Sequence, residues 1–242
     1  MTISEMHIYF KLLMDKEDTG GLPNFQPEAI DMFINMAQRK FVKNRYSGST
    51  TGLGFESIQK RTDDIRNVVE SETLAPVSTA TGLYTGKAVI YNLPLSEDYW
   101  FQVVTGVQNT YLDCDSTEVT DVITVQPTTR DRILFILNDP FNKPRTEYYF
   151  YSLMEGDTVL VFPETEANGI PTIGKGSGNN IMGNLYMDFI RKPADVNINT
   201  LIDSELAEHT HEEIVKESVH SALESIESQR YPVFNNELLK QE

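Results

Sequence analysis

The chain has 242 residues, 40% of them hydrophobic and 10% aromatic, and a formal net charge of −16. That length and composition suit a folded chain of one large domain or two small ones, and no apolar run reaches the roughly 18 residues that a membrane helix needs. So acidic a balance argues against a sequence-specific duplex DNA binder, whose affinity comes largely from Lys and Arg neutralising phosphates.

At the N-terminus Glu5, His7 and Lys11 interrupt the apolar residues and no basic start precedes them, so a secretory signal is not expected. Ile3, Met6, Phe10 and Leu13 recur at helical spacing across 3–16. Gly20, Gly21 and Pro23 then break the chain. Pro27 suits the first turn of a second helix, along which Ile30, Phe33, Ile34, Ala37 and Phe41 form one apolar stripe. The stretch 47–54, SGSTTGLG, ends it, and a third helix is predicted over 55–71 from Ile58, Ile65, Val68 and Val69.

From about residue 72 the texture becomes that of a sheet. β-Branched and aromatic residues mark strands over 87–93, 99–107, 117–125, 145–153, 157–164 and 182–193. Between them, 128–139 reads as a short helix capped by Thr128 or Thr129 and stopped by Pro140. An irregular link, 194–200, leads to a closing helix. The predicted organisation is a helical part over 1–71, a β-rich domain over 72–193, and a linker with a C-terminal helix over 194–242 that packs on the N-terminal helices. Strands without regularly interleaved helices make the fold class α+β, with a central antiparallel sheet.

Three stretches invite a chemical interpretation. In 208–220, EHTHEEIVKESVH, three of the four histidines stand among glutamates. A zinc helix needs His-Glu-x-x-His, with both imidazoles on one face. Here His211-Glu212 is followed by Val215 where the second histidine belongs. His220 lies about 14 Å further along a helix. The segment reads better as a helix start. Thr210 and Glu213 have the spacing of a capping box, Glu212 and Glu213 suit the positive end of the helix dipole, and Val215, Val219, Ala222 and Ile226 form the apolar stripe.

The stretch 169–180, GIPTIGKGSGNN, opens like a phosphate-binding loop, but Gly176 stands where Ser or Thr should hold magnesium, and no helix follows. It reads as a hairpin loop, with Gly174, Lys175 and Gly176 as candidate assembly contacts. In the third stretch Arg39, Lys40, Lys43 and Arg45 crowd one helix, whereas 204–242 carries nine glutamates against three basic residues. A solvated face is the plain interpretation, and contact between the basic helix of one copy and an acidic helix of another is the assembly one. Nucleophilic catalysis has little support. There is no Gly-x-Ser-x-Gly elbow. Cys114, the only cysteine, forms no intrachain disulfide, and Asp113 and Asp115 on either side keep its thiolate scarce.

The order of segments resembles a known family. It runs through YFKLLMDK at 9–16, DMFINMAQRKFVKNRYSG at 31–48, FESIQKRTDDIRNVV at 55–69, NDPFNKPRTEYYF at 138–150, LYMDFIRKPADVNI at 185–198 and ELAEHTHEEIVKESVHSALESIESQRY at 205–231. This is similar to structural proteins of tailed bacteriophages, notably the crAss-like group, that belong to the head–tail connector or tail-ring apparatus. More distantly it resembles the adaptor or tubular proteins under the portal of short-tailed phages. The resemblance implies a non-enzymatic virion component; no metal or cofactor is expected, and the single cysteine fits assembly in a reducing host cytoplasm. It implies a closed ring, commonly of twelve copies, between portal and tail, with DNA passing through and no sequence-specific contact. Arg39, Lys40, Lys43, Arg45, Gly174, Lys175 and Gly176 are then candidate subunit contacts. The competing expectation, from a different class, is a metal-dependent hydrolase using the 208–220 cluster.

Overall fold

The structure, a computed structural model, describes residues 1–17, 25–47, 63–93, 99–112, 117–145, 149–164, 172–173 and 180–225. Contacts divide the chain into two compact units: residues 1–68 with 192–242, and residues 69–191. The second is thus an insertion in the sequence of the first.

In the first unit the periodic apolar residues form α1 (Ile3–Glu17), α2 (Pro27–Ser47) and α4 (His211–Ser225). Ile3, Met6, Phe10 and Met14 are buried along α1, and Ile30, Phe33, Ile34, Ala37 and Phe41 along α2. Val215, Val219 and Ala222 are buried along α4, joined by Ile214 and Leu223. Phe10, Phe25 and Phe33 meet in an aromatic cluster with centroids 5.6–6.5 Å apart, two of the three pairs edge-on, the geometry that ring quadrupoles favour. The link after residue 193 is irregular yet held along the polar side of α2. Asn35 donates to the Val196 carbonyl at 3.1 Å and accepts from its N–H at 2.8 Å, and Gln38 accepts from Ser204 Oγ at 2.7 Å. A side-chain amide here satisfies backbone groups that no strand or helix pairs.

Among the described residues the second unit is a nine-stranded sheet in the order β1-β9-β4-β5-β6-β7-β3-β2, with β8 beside β9. The strands are β1 (Val69–Leu74), β2 (Pro76–Thr79), β3 (Val89–Asn92), β4 (Tyr99–Leu112), β5 (Glu118–Pro127), β6 (Phe150–Glu155), β7 (Thr158–Phe162), β8 (Thr172–Ile173) and β9 (Asn180–Arg191). Pairing is antiparallel except for β5–β6 and β8–β9. With helices at both ends of the chain and this central sheet, the fold is α+β. Strand β5 bridges the two halves of the sheet: residues 118–124 pair with β4 and residues 125–127 with β6. Both halves turn apolar residues inward to one core, Val107, Leu185, Met187 and Phe189 from one, Tyr91, Phe150, Val159 and Val161 from the other. The alternate residues of β6 and β7, among them Tyr151, Leu153, Leu160 and Phe162, face a second cluster containing Ile133 of α3 (Arg130–Asn138). Gly156, at φ 60°, makes the tight turn between β6 and β7.

Several details differ from the sequence-based expectations. The third helix was predicted to run to 71, but only 63–65 are helical among its described residues, a 3-10 turn covers Arg66–Val68, and strand begins at Val69. Val69 pairs with Ile190 and Glu70 with Phe189, so a ladder partner distant in sequence overrides the local helical period. The short strands β1, β2 and β8 were not foreseen. The strands flanking the glycine-rich loop pair in parallel, not as a hairpin. Thr129 is the N-cap of α3 but makes no capping bond; its hydroxyl goes to the Asp131 carboxylate, the chief reason that carboxyl titrates below its ordinary value.

Candidate functional site

The histidine–glutamate segment does begin a helix, though not through a capping box. Residues 208–210 form a 3-10 turn that runs straight into α4. In that turn the Thr210 N–H already bonds the Ala207 carbonyl at 2.9 Å, and the Thr210 hydroxyl donates to the same carbonyl at 2.7 Å. With no free N–H to return to, the Glu213 carboxylate turns to Arg45 instead.

The three histidines are dispersed. His209 Nε2 lies 2.7 Å from Asp64 Oδ1. The ring nitrogens of His211 face the backbone carbonyls of Met1 and Leu206 at 3.1 and 2.9 Å. His220 is buried on the apolar side of α4. Among the described residues no three His, Cys, Asp or Glu side chains converge on one point as metal ligands would.

What the segment does bring together is a charged seam. Arg39 on α2 grips Asp195 with contacts of 2.6 and 2.8 Å, and Lys40 pairs with Glu217 on α4. Arg45 Nη2 lies 3.0 and 2.9 Å from the two Glu213 oxygens, its Nε 2.9 Å from Asp64 Oδ2. Its guanidinium also lies 4.7 Å from the centre of the Phe41 ring, a cation–π contact. Asp64, with 2% side-chain exposure, is the buried hub, met by Arg45 on one side and His209 on the other. The acids facing Arg39, Lys40 and Arg45 thus belong to the same chain. At the outer edge Lys216 and the Tyr9 hydroxyl both bond Glu212 and hold its carboxyl below the ordinary range, while burial and that same bond push the Tyr9 phenol up.

Composition and charge runs did not reveal a second buried pair, His7 with Asp31 at 2.7 Å, whose other carboxylate oxygen accepts the Ile198 N–H at 3.1 Å. A signal was present. His7 lies between Ile3 and Phe10 on the buried face of α1, where an imidazole must find a partner. Asp31, Asn35 and Gln38 likewise form a polar row at helical spacing beside the apolar stripe of α2.

The β-rich unit has its own concave site, a cavity of about 560 Å3 lined by Arg132, Phe135, Ile136, Asp139, Asn142 and Tyr151, with residues 126–129 behind them. Burial and a hydrogen bond with Tyr149 push the Tyr151 phenol up to about 12, so it stays protonated at neutral pH. The Phe141 N–H and the Asn142 amide occupy the Asp139 carboxylate at 2.9 and 2.6 Å and hold its pKa down. Gly174, Lys175, Gly176 and Cys114 lie outside the described residues.

The sequence pattern of the family described as phage tail ring protein 3/4 matches residues 1–231. The chain belongs to this family. No curated protein matches it significantly. As a phage tail ring protein it is a structural component of the virion, and among its described residues no helix is long and apolar enough to cross a membrane. The charged seam is then a feature of the ring protein's own helical unit.

Proposed function

We propose that this tail ring protein assembles into a closed homo-oligomeric ring in the head–tail connector, stacked below the portal against a neighbouring ring, with DNA passing through its centre. The observation that carries this is the family match across residues 1–231. Supporting it, the two units offer exposed apolar and charged surfaces for packing. A ring of twelve copies follows the resemblance described above, and head-to-tail contacts close such a ring when the rotation per subunit is right. The net charge of −16 suits a conduit for DNA, since an acidic lumen repels phosphates and lets the duplex slide.

Arg39, Lys40, Lys43 and Arg45 stay candidate contacts in this proposal. The Lys40 side chain keeps 55% exposure beside Glu217, so a carboxylate from a neighbouring copy still has access to it. Gly174, Lys175 and Gly176 are proposed as contacts to the next ring on their sequence alone. The test is electron cryo-microscopy of intact particles with density traced through the neck. A ring of this chain between portal and tail, its lumen free of basic side chains, is the expected result. A lumen lined by Arg39, Lys40 and Lys43 would sink the sliding-conduit idea, and a position away from the neck would sink the connector assignment.

A further inference from the structure

The β-rich unit has two unlike outer faces on opposite sides of one core. On one side α3 covers the outer residues of β6 and β7, with Ile133 packed among Tyr151, Leu153 and Phe162. On the outer side of α3 Phe135 is 78% exposed, and just after the helix Phe141 is 86% exposed. Phe135 and Arg132 line the cavity, and Lys143 follows Phe141 by two residues. Single exposed apolar residues need no explanation, but Phe135 stands at the rim of an open cavity, and Phe141 adjoins Asn142, another residue of its lining.

On the other side β1, β9, β4 and β5 turn Leu74, Leu185, Val107 and Ile123 inward, and their outer face carries exposed Val104, Val122 and Tyr186. The ladder fixes this grouping: Gly106 stands opposite Tyr186 on β9 and Thr124 on β5. Two glycines leave room on this face for their neighbours. A Cβ at Gly106 would stand 2.8 Å from Val122 Cγ1, and one at Gly183 would stand 2.9 Å from Gln108 Oε1. Their absence lets Val122 and Gln108 lie down across the neighbouring strands. Among the described residues the charged side chains that alternate onto this face are acids, Glu118 and Asp188.

We propose that the aromatic patch around α3 of one copy, with Arg132 and Lys143 beside it, docks on the outer face of β1-β9-β4-β5 of the next copy. This rests on the ring reading above and names the surfaces that close the ring. A closed ring of more than two copies requires each subunit to present two different, mutually complementary patches. This unit presents such a pair on opposite sides, so each copy passes the contact onward instead of pairing back. Arg132 and Lys143 meet Glu118 and Asp188 with opposite charge, which sets register and orientation. Phe135 and Phe141 are the kind of aromatic anchor that carries binding energy at the centre of an interface.

The experiment uses the full chain, with assembly followed by mass photometry and negative-stain microscopy. One variant carries Phe135→Asp with Phe141→Asp, the other Val104→Arg with Val122→Arg. All four positions are exposed, so thermal unfolding should stay near wild type and show that each variant folds. Each variant alone should lose rings, with association weakened on the order of a hundredfold. An equal mixture should stop at a heterodimer, because one intact aromatic patch and one intact sheet face remain to meet. Rings that form equally well from both variants would overturn this pairing and leave the ring assignment standing. Failure of one variant alone, with the other assembling fully, would also overturn it. A wild-type chain that stays monomeric at every concentration would remove the ring assignment as well.

Discussion

In the helical unit many of the side-chain bonds that reach across the sequence are charged or polar: Arg39 to Asp195, Lys40 to Glu217, Arg45 to Glu213 and Asp64, His7 to Asp31. The β-rich unit has a few such pairs, Arg191 with Glu70 and Arg130 with Glu155, but most of its packing is in apolar layers, one between the two halves of the sheet and one under α3. Helix faces meet along narrow stripes, so long charged side chains at the stripe edges fix which face meets which. Strand registers are fixed by ladder and pleat, and the interior is left free to be apolar. The difference predicts unlike responses: the helical unit to salt, acid and removal of single charges, the β-rich unit to loss of volume.

The largest effect should come from the β-rich side. Phe150 is fully buried between the sheet halves, and Phe150→Ala should cost about 3–5 kcal/mol from lost transfer energy and the cavity left behind. Denaturant unfolding of the chain measures this, and a loss near that of an exposed site would mean the interior is loosely packed. Next, Asp64→Ala leaves Arg45 and His209 without their shared carboxylate. Because both partners keep some solvent, the cost should be about 2–3 kcal/mol, toward the lower side of a broken buried ion pair. An equal loss in Asp64→Asn would show that charge, and not the hydrogen bonds, is what matters there.

Smaller again is Lys40→Ala, an exposed pair that should change stability by about 0.2–1 kcal/mol and less at high salt. A salt-independent effect would point to packing of the lysine stem. The smallest is the acid response of Glu212. Its folded pKa lies below the ordinary carboxylate value, so its contribution is present above that value and is lost as pH falls through the folded one. Glu212→Gln should remove a small part of the acid-side slope, under about 0.5 kcal/mol because the group is exposed. A stability curve unchanged below pH 5 in that variant would break the link between Lys216, Tyr9 and the acid response.

Much of the fold was legible because period carries it. The buried stripes of α1, α2 and α4 follow from residues three and four apart, and the long strands β4, β5 and β9 from runs of β-branched and aromatic residues. What failed depended on partners far along the chain. Val69 and Glu70 fit a helix locally and become strand only because Ile190 and Phe189 lie beside them. Thr210 and Glu213 have capping-box spacing, yet the preceding 3-10 turn consumes the N–H and Arg45 takes the carboxylate. At the candidate site the basic run on α2 was visible. That its acids belong to the same chain was not, since Asp64, Asp195, Glu213 and Glu217 are spread across distant segments. Asp64 carried no local mark at all beyond its place next to buried Ile65.

The insertion of one unit within the other also sets the order in which a growing chain can finish its parts. All strands of the β-rich unit have been synthesised once Arg191 emerges, whereas the helical unit waits for α4, the last described element. Until Ile214, Val215 and Val219 arrive, that unit lacks part of its core, and Lys40 and Arg45 lack their glutamates. Synthesis therefore delivers the two proposed docking faces before the subunit that bears them is complete.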